Sequence, residues 1–200
     1  AGEGSAGGAV RPSYREIMRS IPGILRGDRT LRTYIAASNL VGLSITLVPF
    51  YVALGRSRGV LTGEDVGTLL LVQIGAMVIS NVIWSAVAKR RGFKGLFRWL
   101  IILSAVGPAA ALLLTLPALS AVFPLVFLLA GSSHSADHIA QDAILIEITD
   151  DENRALYTGI FGTLNLTRAV FPIASGALLA ALGYEAVFLV VAVASLAALP

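Results

Sequence analysis

The chain has 200 residues, of which 56% are apolar and only 14% are Asp, Glu, Lys or Arg, with a formal charge of +3. A soluble domain is about 45–50% apolar and about 25% charged, so this composition cannot clothe a water-facing surface. With no cysteine, a disulfide framework, a thiolate metal site and a cysteine nucleophile are all excluded.

A bilayer core about 30 Å thick is crossed by roughly 20 mainly apolar helical residues, and six such stretches follow one another. They run from Leu31 to Leu54, Val66 to Ala88, Leu96 to Leu116, Ala121 to Ile148, Ala155 to Leu182 and Tyr184 to Pro200. The expected fold is therefore an all-α integral membrane domain over residues 31–200. Residues 1–12, rich in Gly and Ala, read as a flexible linker. Residues 13–30 place Tyr14, Ile17, Ile21 and Leu25 at near-helical spacing among arginines, as an amphipathic segment on the membrane surface or a basic linker would. Pro22 is expected to break or restart that helix. Arg11, Arg15, Arg19, Arg26, Arg29 and Arg32 precede the first span, and Lys89, Arg90, Arg91, Lys94 and Arg98 surround the turn after the second. By the positive-inside rule both termini are cytoplasmic, as in a bacterial inner-membrane protein. These arginines suit anionic lipid headgroups, and topology alone accounts for them without nucleic acid.

Polar groups inside a bilayer are costly, so their distribution among the spans is informative. The third span holds only Ser104 and the sixth only Ser195, whereas the first holds Asn39 and Thr46 and the second Gln73, Ser80 and Asn81, with Trp84 on the same stripe. The fourth carries a dense polar run and the fifth Asn165 and Arg168. The order polar, polar, apolar therefore occurs twice, about 90 residues apart, which predicts a three-plus-three inverted repeat of the kind that secondary transporters use. On any single span the same polar stripe would also serve as glue between helices.

The fourth span reads GSSHSADHIAQDAILIEI from Gly131 to Ile148. His134, His138 and Gln141 fall within about 60° around the helix, flanked by Asp137 and Asp142. The fifth presents Phe161, Asn165, Arg168, Pro172 and Ser175 on one face. Counted from Glu152 in the intervening turn, Asp137 and Arg168 reach similar depth. An ionised Arg168 needs an anion or a wet cavity there, and the histidines titrate near neutrality. A structural ion pair with satisfied histidines and a substrate or proton site both fit this cluster. His138 and Asp142 alternatively form H-x-x-x-D, a partial ligand set for a zinc-like divalent metal carrier. An intramembrane acid-base enzyme is the remaining reading, although H-E-x-x-H, G-x-S-x-G and phosphate-binding glycine loops are all missing. Nothing in the sequence asks for a cofactor.

ILRGDRTLRTYIAASN (residues 24–39), WSAVAKRRGFK (84–94) and ENRALYTGIFGTLNLTRAVFPIASGALLAALGYEAVF (152–188) resemble the C-terminal half of a major facilitator superfamily transporter, helices seven to twelve. In the second stretch Ser85 stands where the family's loop motif has its first Gly and Lys89 where it has its Asp, while Gly92 and Lys94 fit. The resemblance implies half of a twelve-helix carrier of small solutes that alternates access, and His134, Asp137, His138 and Asp142 suggest that it is coupled to protons. It further implies a partner in an N-terminal six-helix half outside this chain, a cavity lined by helices seven, eight, ten and eleven, and peripheral helices nine and twelve.

Overall fold

A computed structural model describes residues 14–150 and 154–199. The expected linker 1–12 and the centre of the turn at Glu152 lie outside the described residues. Among the described residues the regular structure is helical: α1 (Tyr14–Gly27), α2 (Arg29–Ile45), α3 (Val48–Ser57), α4 (Asp65–Leu113), α5 (Leu125–Ile148), α6 (Arg154–Leu164) and α7 (Leu166–Leu196), with a short 3-10 turn at Ser120–Val122. Among the described residues three helical stretches are long and apolar enough to cross a membrane: Arg29–Ser57, Asp65–Leu113 and Arg154–Leu196. The 24-residue α5 is also long and carries the polar run that includes His134, Asp137, His138, Gln141 and Asp142.

The expected second and third spans are the two limbs of α4, which meet where Gly92 adopts φ 67°. Those of the fifth and sixth meet within α7 at Gly183, φ 81°. A side chain rarely adopts these backbone angles, so glycine permits both bends.

Two expected spans are divided where the sequence reading had them continuous. The first is split at Thr46–Leu47 into α2 and α3, with Pro49 in the first turn of α3, where its missing N–H costs nothing. The fifth is split at Asn165, whose φ of −82° and ψ of 57° end α6 and begin α7.

α1 also departs from expectation, because it runs through Pro22. Packing outweighs the lost hydrogen bond: Ile21 is buried and Ile24 and Leu25 are partly buried against Leu31, Tyr34, Ile35, Ile160 and Phe161. Asp28 then caps α2, its carboxylate accepting from the Leu31 N–H at 2.9 Å.

Two further apolar clusters lie beyond this one. Val41 and Ile45 meet Leu96, Leu100, Ile101, Ala136 and Ala140 midway along the bundle. Tyr51, Leu54, Phe123, Phe127, Phe188 and Val191 fill the opposite end. The second limb of α4 packs one face through Leu96, Leu100, Ile101, Ser104 and Ala111 and exposes Trp99, Val106 and Leu113 on another. Its first limb exposes Leu71, Ile74, Val78, Ile79, Val82 and Ile83 on one face.

Candidate functional site

The buried charges meet where α5 faces the α6–α7 break. Asp137, one face of α5, is buried, and its Oδ1 accepts from Arg168 Nη2 at 2.6 Å. One turn along the helix, Gln141 Nε2 donates to Asp137 Oδ2, also at 2.6 Å. Both carboxylate oxygens are therefore engaged, as a buried anion requires. The Arg168 side chain keeps about a quarter of its surface, 26%, while that of Asp137 keeps 3%. The pair thus sits at a boundary, with the anion sealed and the cation reaching outward.

Arg168 reaches outward into an open cleft of about 510 Å³ between α5 and the α6–α7 helices, lined by Gln141, Asp142, Thr158, Phe161, Gly162, Asn165, Arg168 and Ala169. Neither the second limb of α4 nor the end of α7 beyond Gly183 lines it. Asn165 is nine-tenths buried, and its Oδ1 and Arg168 Nε have no hydrogen-bond partner among the described residues.

Asn39 secures the helix break beside this cleft. Its Nδ2 donates to the Leu164 carbonyl at 3.0 Å, at the end of α6, and its Oδ1 accepts from the Thr167 N–H at 3.0 Å and the Thr167 hydroxyl at 2.8 Å, at the start of α7. A helix break leaves carbonyls on one side and amides on the other without partners, and one side-chain amide supplies both complements. α2 lies against α7 here, an added Cβ at Gly42 standing in ordinary contact with Arg168 Cγ at 3.4 Å.

The remaining expected residues disperse. The Thr46 hydroxyl bonds back to the carbonyls of Gly42 and Leu43. Trp84 Nε1 donates to Ser132 Oγ at 3.0 Å, joining α4 to α5. Ser80 is buried, Gln73 keeps a buried Oε1 with no partner among the described residues, and Asn81 is exposed, accepting from Ser85. His134 turns away from the cleft: its Nδ1 lies 3.2 Å from the Ala130 carbonyl, and it borders a void of about 10 Å³ beside Ser44, Tyr51, Gly107 and Ser133. His138 is exposed outside the cleft lining. The expected single arc is thus divided among three surroundings.

The zinc-like alternative finds no support. Among the described residues no three His, Asp or Glu side chains form a group able to hold a metal, and Asp137 is committed to Arg168 and Gln141.

Sequence reading left Thr158, Gly162 and Ala169 out of the site. Their signal was present, because 158, 161, 162, 165, 168 and 169 continue one helical stripe. It also passed over Tyr34, which is buried, stacks on Phe161 with ring centroids 5.1 Å apart, and lies close enough to Asp137 and Arg168 to feel their charges. No local pattern marks Thr167, whose partner Asn39 is 128 residues away.

The Major Facilitator Superfamily model matches residues 33–200. The chain belongs to that superfamily. It is accordingly an integral membrane protein of a transporter family. No curated protein and no solved structure matches it.

Proposed function

We propose that the chain forms one six-helix half of a secondary transporter that moves a small solute by alternating access, with the Asp137–Arg168 pair and its cleft as the centre of the solute pathway. The buried pair at the base of the cleft is the observation that carries this reading. An ion pair in an apolar medium costs more to bury than it returns in Coulomb energy, so a purely structural role is better filled by apolar side chains. The break at Asn165 adds support, since discontinuous helices in transporters interrupt the backbone where it borders a cavity.

In this proposal the six expected spans form a three-plus-three repeat with both termini cytoplasmic, and the second half faces another six-helix unit across the cleft. Gln141, Asp142, Asn165 and Arg168 contact solute; Asn39 holds the break; Thr46, Gln73, Ser80, Asn81 and Trp84 line the path farther along. His134, Asp137, His138 and Asp142 carry coupled protons, for which a pH-dependent transport rate is the readout.

The test is made in proteoliposomes holding the complete transporter, with a panel of labelled small solutes to find one that it accumulates. Arg168→Gln inserts normally and loses uptake of that solute. Undiminished uptake by Arg168→Gln contradicts the reading.

A further inference from the structure

The charges and hydrogen-bonding groups of the cleft specify the solute's chemistry, an inference that rests on the transport reading above. Two carboxylates, Asp137 and Asp142, stand against one guanidinium, Arg168. Asp137 and Arg168 neutralise each other at 2.6 Å, which leaves Asp142 as the uncompensated charge. Asp142 is exposed at the cleft and makes no ion pair among the described residues. His138, one turn earlier on α5, is exposed as well and is not paired with it.

The neutral groups lean the same way. The Thr158 hydroxyl spends its hydrogen on the Arg154 carbonyl at 2.8 Å and presents only lone pairs. Gln141 gives an amide hydrogen to Asp137, while its carbonyl accepts none among the described residues. The Asn165 carbonyl oxygen lacks a donor, although the residue is nine-tenths buried. Arg168 Nη2, the strongest donor, is already engaged by Asp137. Thr158, Gln141 and Asp142 thus present acceptors toward the cleft, set against the remaining N–H groups of Arg168. Phe161, Gly162 and Ala169 supply an apolar wall beside them.

We propose that the cleft binds a protonated organic amine, with Asp142 as its charge partner, the Gln141 carbonyl and Thr158 hydroxyl oxygens as acceptors for its N–H groups, and its apolar body against Phe161. A carboxylate-bearing solute meets repulsion from Asp142 and must compete with Asp137 for Arg168. This assigns Asp142 to recognition, separately from the pair at the base.

Two probes of equal shape and opposite charge test it: phenethylammonium and 3-phenylpropanoate, with binding measured by calorimetry on the complete transporter in lipid nanodiscs at neutral pH. The amine binds at least about ten-fold more tightly than the carboxylate. Asp142→Asn, at an exposed position, keeps the helical content and removes the preference, and Asp142→Glu restores it. The quaternary analogue trimethyl(phenethyl)ammonium binds more weakly than the primary amine, because it has charge but no N–H. Equal or tighter binding of the carboxylate, no measurable binding of the amine, or an unaltered preference in Asp142→Asn overturns the proposal. If in addition Arg168→Gln abolishes solute uptake, only the amine assignment falls; normal uptake by Arg168→Gln removes the transport reading beneath it.

Discussion

α5 has two faces that follow opposite rules. Toward α4, Gly131 packs so closely that an added Cβ would stand 2.2 Å from the Gln73 carbonyl oxygen and 3.0 Å from Ala76 Cβ. Toward α6 and α7, the same helix stands off across a cleft and reaches its neighbour through the Asp137–Arg168 pair. Lipid tails supply no hydrophobic force between membrane helices, so association rests on close contact of small residues or on polar bridges. The α4 face uses the first means and the cleft face chiefly the second. A close-packed face admits few alternative arrangements, whereas a polar bridge beside an open cleft can be exchanged for contacts with a solute.

This contrast can be broken from either side. The largest effect is expected from Gly131→Val, which drives a branched side chain into α4 backbone that cannot yield without parting the helices. A loss of about 3 kcal/mol, the upper range for overpacking, should appear as a lowered thermal midpoint in detergent, whereas an equivalent change at Gly162, where nothing lies within 4 Å of an added Cβ, should be mild. Asn39→Leu should come next, costing about 1–3 kcal/mol because it strips partners from both sides of the α6–α7 break. Hydrogen exchange at Thr167 and the residues after it should accelerate, while exchange in the α4–α5 pair stays unchanged.

The smallest effect lies outside both faces. The Thr62 N–H, at 2.6 Å, and then the Thr62 hydroxyl, at 2.7 Å, donate to Asp65 Oδ2 and hold its carboxyl below the usual carboxylate pKa. A lowered folded-state pKa contributes stability above the ordinary value, and that contribution disappears as pH falls through the folded value. Wild type should therefore exceed Asp65→Asn slightly at neutral pH, and thermal unfolding should show the gap closing in acid.

Most of the frame could be read from the sequence because local causes set it. Hydropathy located the apolar stretches, and counting from the turn at Glu152 brought Asp137 and Arg168 to one level. The break at Asn165 was hidden, since TLNLT contains neither Gly nor Pro, and the groups that make the break tolerable come from Asn39, far away in sequence. The break at Thr46–Leu47 had a local sign in Pro49, outweighed by the uninterrupted hydropathy around it. Counting polar residues per span does not reveal how far each limb of α4 is enclosed. A helix can be apolar because lipid surrounds it or because neighbours enclose it, and the second limb is enclosed along one face. His134 parted from Asp137 for a related reason: residues three apart on a helix differ by about 60°, enough to face different neighbours.

The central claim is that the Asp137–Arg168 pair is kept for transport and is dispensable for stability. Its most direct test is the double variant Asp137→Leu with Arg168→Met, compared with Asp137→Leu alone. The single change leaves Arg168 uncompensated and should cost about 3 kcal/mol, somewhat less to the extent that the guanidinium reaches water. The double change should recover most or all of that stability, insert normally and transport nothing. A double variant that still accumulates solute at the wild-type rate would contradict the account.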